Sequence, residues 1–225
     1  MSWNIFFEAR FFLLTLLGAF LLMPLSAQEP RLQIVAATGT PREVQEALWR
    51  GADINNMTET GVTPLMAAAG SNHDPSVVPV LLDSGANINA RSKFGETALI
   101  YAAQYNNNPE MIAALLEAGS DVRERDVLGR TSLIHAAKCN SSPEVINLLL
   151  KAGCAVDSRD LMGMTALLYA AWLNQNPTIV TMLLHAGADA KARSNEGRTA
   201  LDYARDNPML PRDSEAFRAL EKSLQ

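Results

Sequence analysis

Glycine returns at one fixed interval along this chain. Gly61, Gly95, Gly129, Gly163 and Gly197 are 34 residues apart, and so are Gly51, Gly85, Gly119, Gly153 and Gly187. A proline ladder, Pro41, Pro75, Pro109, Pro143, Pro177 and Pro211, keeps the same step. Self-similarity at this period predicts stacked units, each burying its apolar face against its neighbours, and not one central core. A stack presents a long surface. Binding is therefore the default expectation, and catalysis needs separate evidence.

That evidence is absent from the sequence. His73, His135 and His185 fall in different units, and no two have metal-ligand spacing. His135 aligns with Ala67, Tyr101, Tyr169 and Tyr203, which reads as a half-buried packing slot. No serine sits in a Gly-x-Ser-x-Gly context, and no glycine loop is built to cradle phosphate. No catalytic residue, cofactor or metal is assigned, and the chain reads as a non-enzyme. A formal net charge of −5 argues against nucleic acid as a partner, because that binding requires dense Lys and Arg. Two cysteines make no disulfide framework. Cys139 ends one predicted helix and Cys154 follows the next, about 15 Å away at the rise of an α-helix, too far for a bridge.

The first thirty residues differ from the rest. Phe11 to Met23 is an uncharged apolar run of thirteen, too short to span a bilayer but suited to a signal peptide. Arg10 precedes it, Pro24 breaks it, and Leu25-Ser26-Ala27 offers a cleavage site. The expected division is a signal peptide over 1–27 and a repeat domain over 28–225. Export to a periplasm or the cell exterior follows. The alternative is an uncleaved amino-terminal anchor.

Within one unit the punctuation is explicit. After Gly95 comes Thr97, and Thr recurs at 63, 131, 165 and 199 just before an apolar segment, where its hydroxyl caps a helix. Paired alanines such as Ala102-Ala103 let a second helix lie close. Thr40, Asp74, Asn108, Ser142 and Asn176 each precede a ladder proline, so a second helix begins with a cap and a proline at its first position. Ile112, Leu115 and Leu116 mark its apolar face. Gly119 ends it, and residues 121–126 lead out as an extended finger.

These segments resemble the ankyrin repeat. Gly61-Val62-Thr63-Pro64-Leu65-Met66-Ala67-Ala68-Ala69 is similar to that family's G-x-T-P-L-H-x-A-A, and Leu115-Leu116-Glu117-Ala118-Gly119-Ser120-Asp121-Val122 to its L-L-x-x-G-A-D-V. The resemblance covers nearly all of residues 31–206. It implies an all-α solenoid of stacked helix-turn-helix units with projecting β-like fingers: about six helix pairs, the first and last serving as caps. The family period is about 33, and the extra residue falls between the helices. Met66, Ile100, Ile134, Leu168 and Asp202 replace the family histidine.

The resemblance also implies a non-covalent protein partner on the concave, finger-lined face. Separately, the chain is expected to be free of the membrane after signal cleavage and to act as a monomer. The middle units are apolar there. Phe94, Tyr105, Val127, Leu128, Leu161, Met162, Met164 and Trp172 are expected to form one exposed stripe, while the outer units are polar at the same slots. Binding of a small molecule or cell-wall fragment in the groove is the competing reading. Arg91, Arg125, Arg159 and Arg193 recur on the fingers and are expected to pair with acids such as Asp126 and Asp160. Asn56-Met57-Thr58 and Asn140-Ser141-Ser142 match the glycosylation pattern.

Overall fold

Each Gly-x-Thr opens a helix as the sequence requires. Thr63, Thr97, Thr131, Thr165 and Thr199 are in extended conformation, and each side chain accepts the amide three residues on. The computed structural model describes residues 31–223. The segment 1–27 read as a signal peptide lies outside them.

The described residues form twelve helices in six pairs: α1 Leu32–Thr38 with α2 Pro41–Trp49, α3 Pro64–Ser71 with α4 Val77–Asp83, α5 Ala98–Tyr105 with α6 Pro109–Glu117, α7 Ser132–Cys139 with α8 Pro143–Lys151, α9 Ala166–Leu173 with α10 Thr178–His185, and α11 Ala200–Ala204 with α12 Glu215–Ser223. The odd-numbered helices pack in one row and the even-numbered in a second. The architecture is the all-α solenoid expected, with no strand among the described residues.

Proline starts α2, α6 and α8, capped by Thr40, Asn108 and Ser142. The helices α4 and α10 begin just after Pro75 and Pro177, yet Asp74 and Asn176 still accept the amides of Ser76 and Thr178. Pro211 departs from its ladder: α12 starts only at Glu215.

Burial separates the two rows. In α5, Ala98 to Ala103 are all buried, and the paired alanines of α3, α5, α7 and α9 are at or below 1% exposure. Small side chains there let neighbouring first helices stack. The second helices bury one face only, for example Met111, Ile112 and Leu115 in α6. That face is rotated from the one expected, since Leu116 is only partly buried.

A buried asparagine ties each unit to the one before it. Asn106 Nδ2 donates to the carbonyls of Ala69 (3.0 Å) and Asn72 (2.8 Å). Asn140 does the same to Ala103 and Asn106, Asn174 to Ala137 and Asn140, and Asn207 to Ala171 and Asn174. In the first step Asn72 donates to Ala36 and Gly39. Each Oδ1 also accepts the amide two residues on, so every polar atom of the side chain is used. Asn140 is 1% exposed and bonded in this way, which rules out Asn140-Ser141-Ser142 as a glycosylation site in the folded chain.

Candidate protein-binding face

The finger of each unit is a tight turn built on its first residue. In the third finger, Asp126 N donates to Arg130 O (3.0 Å) and Gly129 N to Asp126 O (2.9 Å). Asp126 Oδ1 also accepts the amides of Leu128 and Arg130, both at 2.9 Å. Gly129 closes the turn at φ +79°, a conformation that glycine adopts without a Cβ penalty. Asp160 serves the next finger alike, accepting from Met162 and Met164. The central residues of these two turns, Val127 and Leu128, then Leu161 and Met162, have exposed side chains.

Adjacent fingers are joined at their tips. Lys93 N donates to Thr60 O, Val127 N to Phe94 O, Leu161 N to Leu128 O and Asn195 N to Met162 O, at 2.9–3.0 Å. At Gly163 the packing is so close that a Cβ would lie 2.5 Å from Asn195 Oδ1. The recurring arginines reinforce the row. Arg125 Nη1 donates to Gly129 O and Arg159 O, and Arg159 Nη1 to Gly163 O and Arg193 O. Arg91 pairs with Glu124 and donates to Arg125 O. Arg125 and Arg159 thus hold carbonyls of their own and the next finger; the expected pairing with a nearby acid is made by Arg91, to Glu124 and not to Asp126 or Asp160.

Those two acids turn inward. Asp126 Oδ2 accepts from Arg130 (2.7 Å) and from His135 Nε2 (3.0 Å). Burial pushes the Asp126 carboxyl up, but the hydrogen bonds from His135 and Arg130 and the Arg130 charge outweigh it and hold it well below the usual carboxylate range. His135 is 1% exposed, not half-buried, and its Nδ1 is buried without a partner. Burial lowers the imidazole's basicity, and the bond to Asp126 only partly opposes this. The next unit uses a different ring for the same job: Tyr169 Oη donates to Asp160 Oδ2 (2.8 Å). In the last, Tyr203 Oη donates to Ser194 Oγ (3.1 Å).

Seven of the eight residues assigned to the stripe are exposed: Phe94, Tyr105, Val127, Leu128, Leu161, Met162 and Trp172. They are seven of the ten exposed large apolar side chains among the described residues, so apolar surface is concentrated on this face. Met164 is the exception, at 1% exposure in the core. It follows the turn glycine, as do Val62 and Glu96, and all three of these side chains are buried. The stripe also divides in two. Phe94, Val127, Leu128, Leu161 and Met162 sit on finger tips. Tyr105 and Trp172 lie at the far ends of α5 and α9, helices of 8 residues that are about 12 Å long at 1.5 Å per residue. Trp172 further packs on Tyr203, ring centroids 5.3 Å apart, and stacks on Tyr169.

No group of three or more His, Cys, Asp or Glu among the described residues is placed to hold a metal, and no described helix is long and apolar enough to cross a membrane. Cys154 is buried, which raises its thiol pKa, and neither cysteine is in a disulfide.

A family model described as ankyrin repeats (3 copies) matches over residues 32–126, 105–194 and 133–220. The chain belongs to the ankyrin-repeat family. Ankyrin repeats mediate protein–protein binding, and this chain carries the scaffold for it. No curated protein matches the sequence significantly. Among its own departures from the family pattern, Asp202 stands where the family has histidine, and it completes a capping box with Thr199.

Proposed function

We propose that this ankyrin-repeat protein is a non-enzymatic scaffold that docks another protein on the tips of its middle fingers. The observation that carries the reading is the row Phe94, Val127, Leu128, Leu161 and Met162, held on consecutive fingers by backbone hydrogen bonds. Rigid presentation of adjacent apolar side chains lowers the ordering cost of binding. Aromatic residues and methionine are favoured at the centres of interfaces. The scaffold acts outside the cytoplasm, a reading supported by the apolar run from Phe11 to Met23 and the Leu25-Ser26-Ala27 after it.

The test is an in-cell crosslinking capture with the native chain and with Leu128→Glu, Leu161→Glu and Met162→Glu combined. Trp172 is left intact because it packs on Tyr203. The side chains changed are exposed, so unfolding free energy should shift by under about 1 kcal/mol, while the captured partner is lost. Retention of the partner by a folded variant would remove the fingers from the interface. Intact mass of the same captured protein reads the amino terminus: a chain starting at Gln28 supports export, and a chain starting at Met1 favours an anchor or no processing.

A further inference from the structure

The repeat exposes one place where a side chain is missing. The residue after each alanine pair is Gly70, Gln104, Lys138 or Trp172, and the ring slot of the following unit is Tyr101, His135, Tyr169 or Tyr203. Two of these pairs are in contact across the units: Lys138 Nζ lies 6.0 Å from the centre of the Tyr169 ring, and Trp172 packs on Tyr203. Shifted back by two units, Lys138 and Tyr169 become Gly70 and Tyr101. A Cβ placed on Gly70 would lie 3.5 Å from Tyr101 Cδ1 and 3.7 Å from Tyr105 Cδ2, an ordinary van der Waals approach to the same ring. No side chain leaves Gly70, and an open notch of about 270 Å³ remains, lined by Met66, Gly70, His73, Tyr101, Tyr105 and Asn107 among others.

We propose that this notch receives the cationic side chain of a lysine or arginine supplied by the bound protein partner. The proposal rests on the protein-binding reading above and specifies the chemistry of one contact. Tyr105 is 43% exposed and offers a ring for an ammonium or guanidinium group. The ends of α3 and α5 meet here, Ser71 and Tyr105 being their last residues, and the carboxyl end of a helix favours positive charge. No lysine or arginine lines the notch, and the chain's net charge of −5 attracts a basic segment at longer range. The molecule itself supplies the precedent, since it fills the equivalent position two units on with Lys138.

The probe is N-acetyl-lysine methylamide, with N-acetyl-norleucine methylamide as its uncharged counterpart of similar length. Both are titrated into the repeat-containing chain and followed by amide shifts in ¹H–¹⁵N correlation spectra. The lysine compound should give saturable shifts at residues 70–73 and 104–108, at least severalfold tighter than norleucine. Tyr105→Leu should weaken it about two- to fivefold. Gly70→Lys should abolish it by placing an internal ammonium in the notch. If that variant loses spectral dispersion, Gly70→Gln, the residue found at position 104, takes its place. Equal binding of both compounds, shifts only elsewhere, or undiminished binding when the notch is filled would each overturn the proposal. The titration needs no partner, so its failure is separable from failure of the finger-tip capture.

Discussion

His135 shows how one residue changes the pH response of a repeated structure. It fills a slot held by tyrosine in three other units, and like Tyr169 it bonds the finger's acid. A phenol there does not titrate near neutrality; burial in fact pushes the Tyr169 hydroxyl upward. An imidazole does titrate, and around His135 stand Asp126 and Arg130 of its own finger and Glu96 of the preceding one. Its folded pKa lies below the unfolded value near 6.5. The unfolded chain therefore binds the proton first, and stability contributed above about pH 6.5 is lost as pH falls below it. Asp126, whose folded pKa is also lowered, adds a second loss below about pH 4. His135→Tyr should keep the bond to Asp126 and flatten the stability profile between pH 7 and 5, as measured by urea unfolding at stepped pH. A profile unchanged by the substitution would show that His135 does not set it. A partial signal for this contact is present in the repeat pattern. The residue nine positions before the ring is Ser92, Asp126, Asp160 or Ser194, polar every time, but nothing local reveals that the pair meets.

At the scale of the element, the caps and turns were legible because they are local. Thr131, Pro143 and Gly129 each impose a backbone state on their immediate neighbours. Contacts between units were not legible in the same way. Asn140 reads as a loop residue, yet its two donor bonds reach back 34 and 37 residues. Met164 reads as finger surface, yet the turn glycine before it reverses the direction of the side chain. Asn140→Ala would leave the carbonyls of Ala103 and Asn106 buried without those donors. Each such group costs about 1–3 kcal/mol, so a loss of about 2–4 kcal/mol is expected in equilibrium unfolding, against under 1 kcal/mol for Asn107→Ala, an exposed position in the corresponding loop of the preceding unit. Similar values for the two would mean that water replaces the ladder.

For the whole molecule, stability is distributed along a line. Each unit packs chiefly on its neighbours, so the end pairs have one interface where inner pairs have two. Amide exchange should accordingly be fastest in α1, α2, α11 and α12 and slowest in α5, α7 and α9. Uniform protection from end to end would instead indicate a single all-or-none unit. The family and the six pairs were readable from periodicity, since every copy repeats the same instruction. The face used for binding was readable only in part, because repetition fixes which slots are exposed but the division into finger tips and helix ends follows from the three-dimensional course of α5 and α9.

The asparagine ladder has a direction. Every asparagine carries donors toward the unit before it and leaves its own carbonyl for the unit after it. At the start, Gly39 supplies only a carbonyl; at the finish, the carbonyl of Asn207 is taken locally by Leu210 N. An inner unit therefore enters with as many hydrogen-bonding groups as it satisfies, and a copy can be added or deleted between the ends without stranding any of them. The ends cannot be exchanged. Growth of such a chain over evolutionary time is open in its number of units but closed in its grammar: in chain order every acceptor precedes the asparagine that binds it.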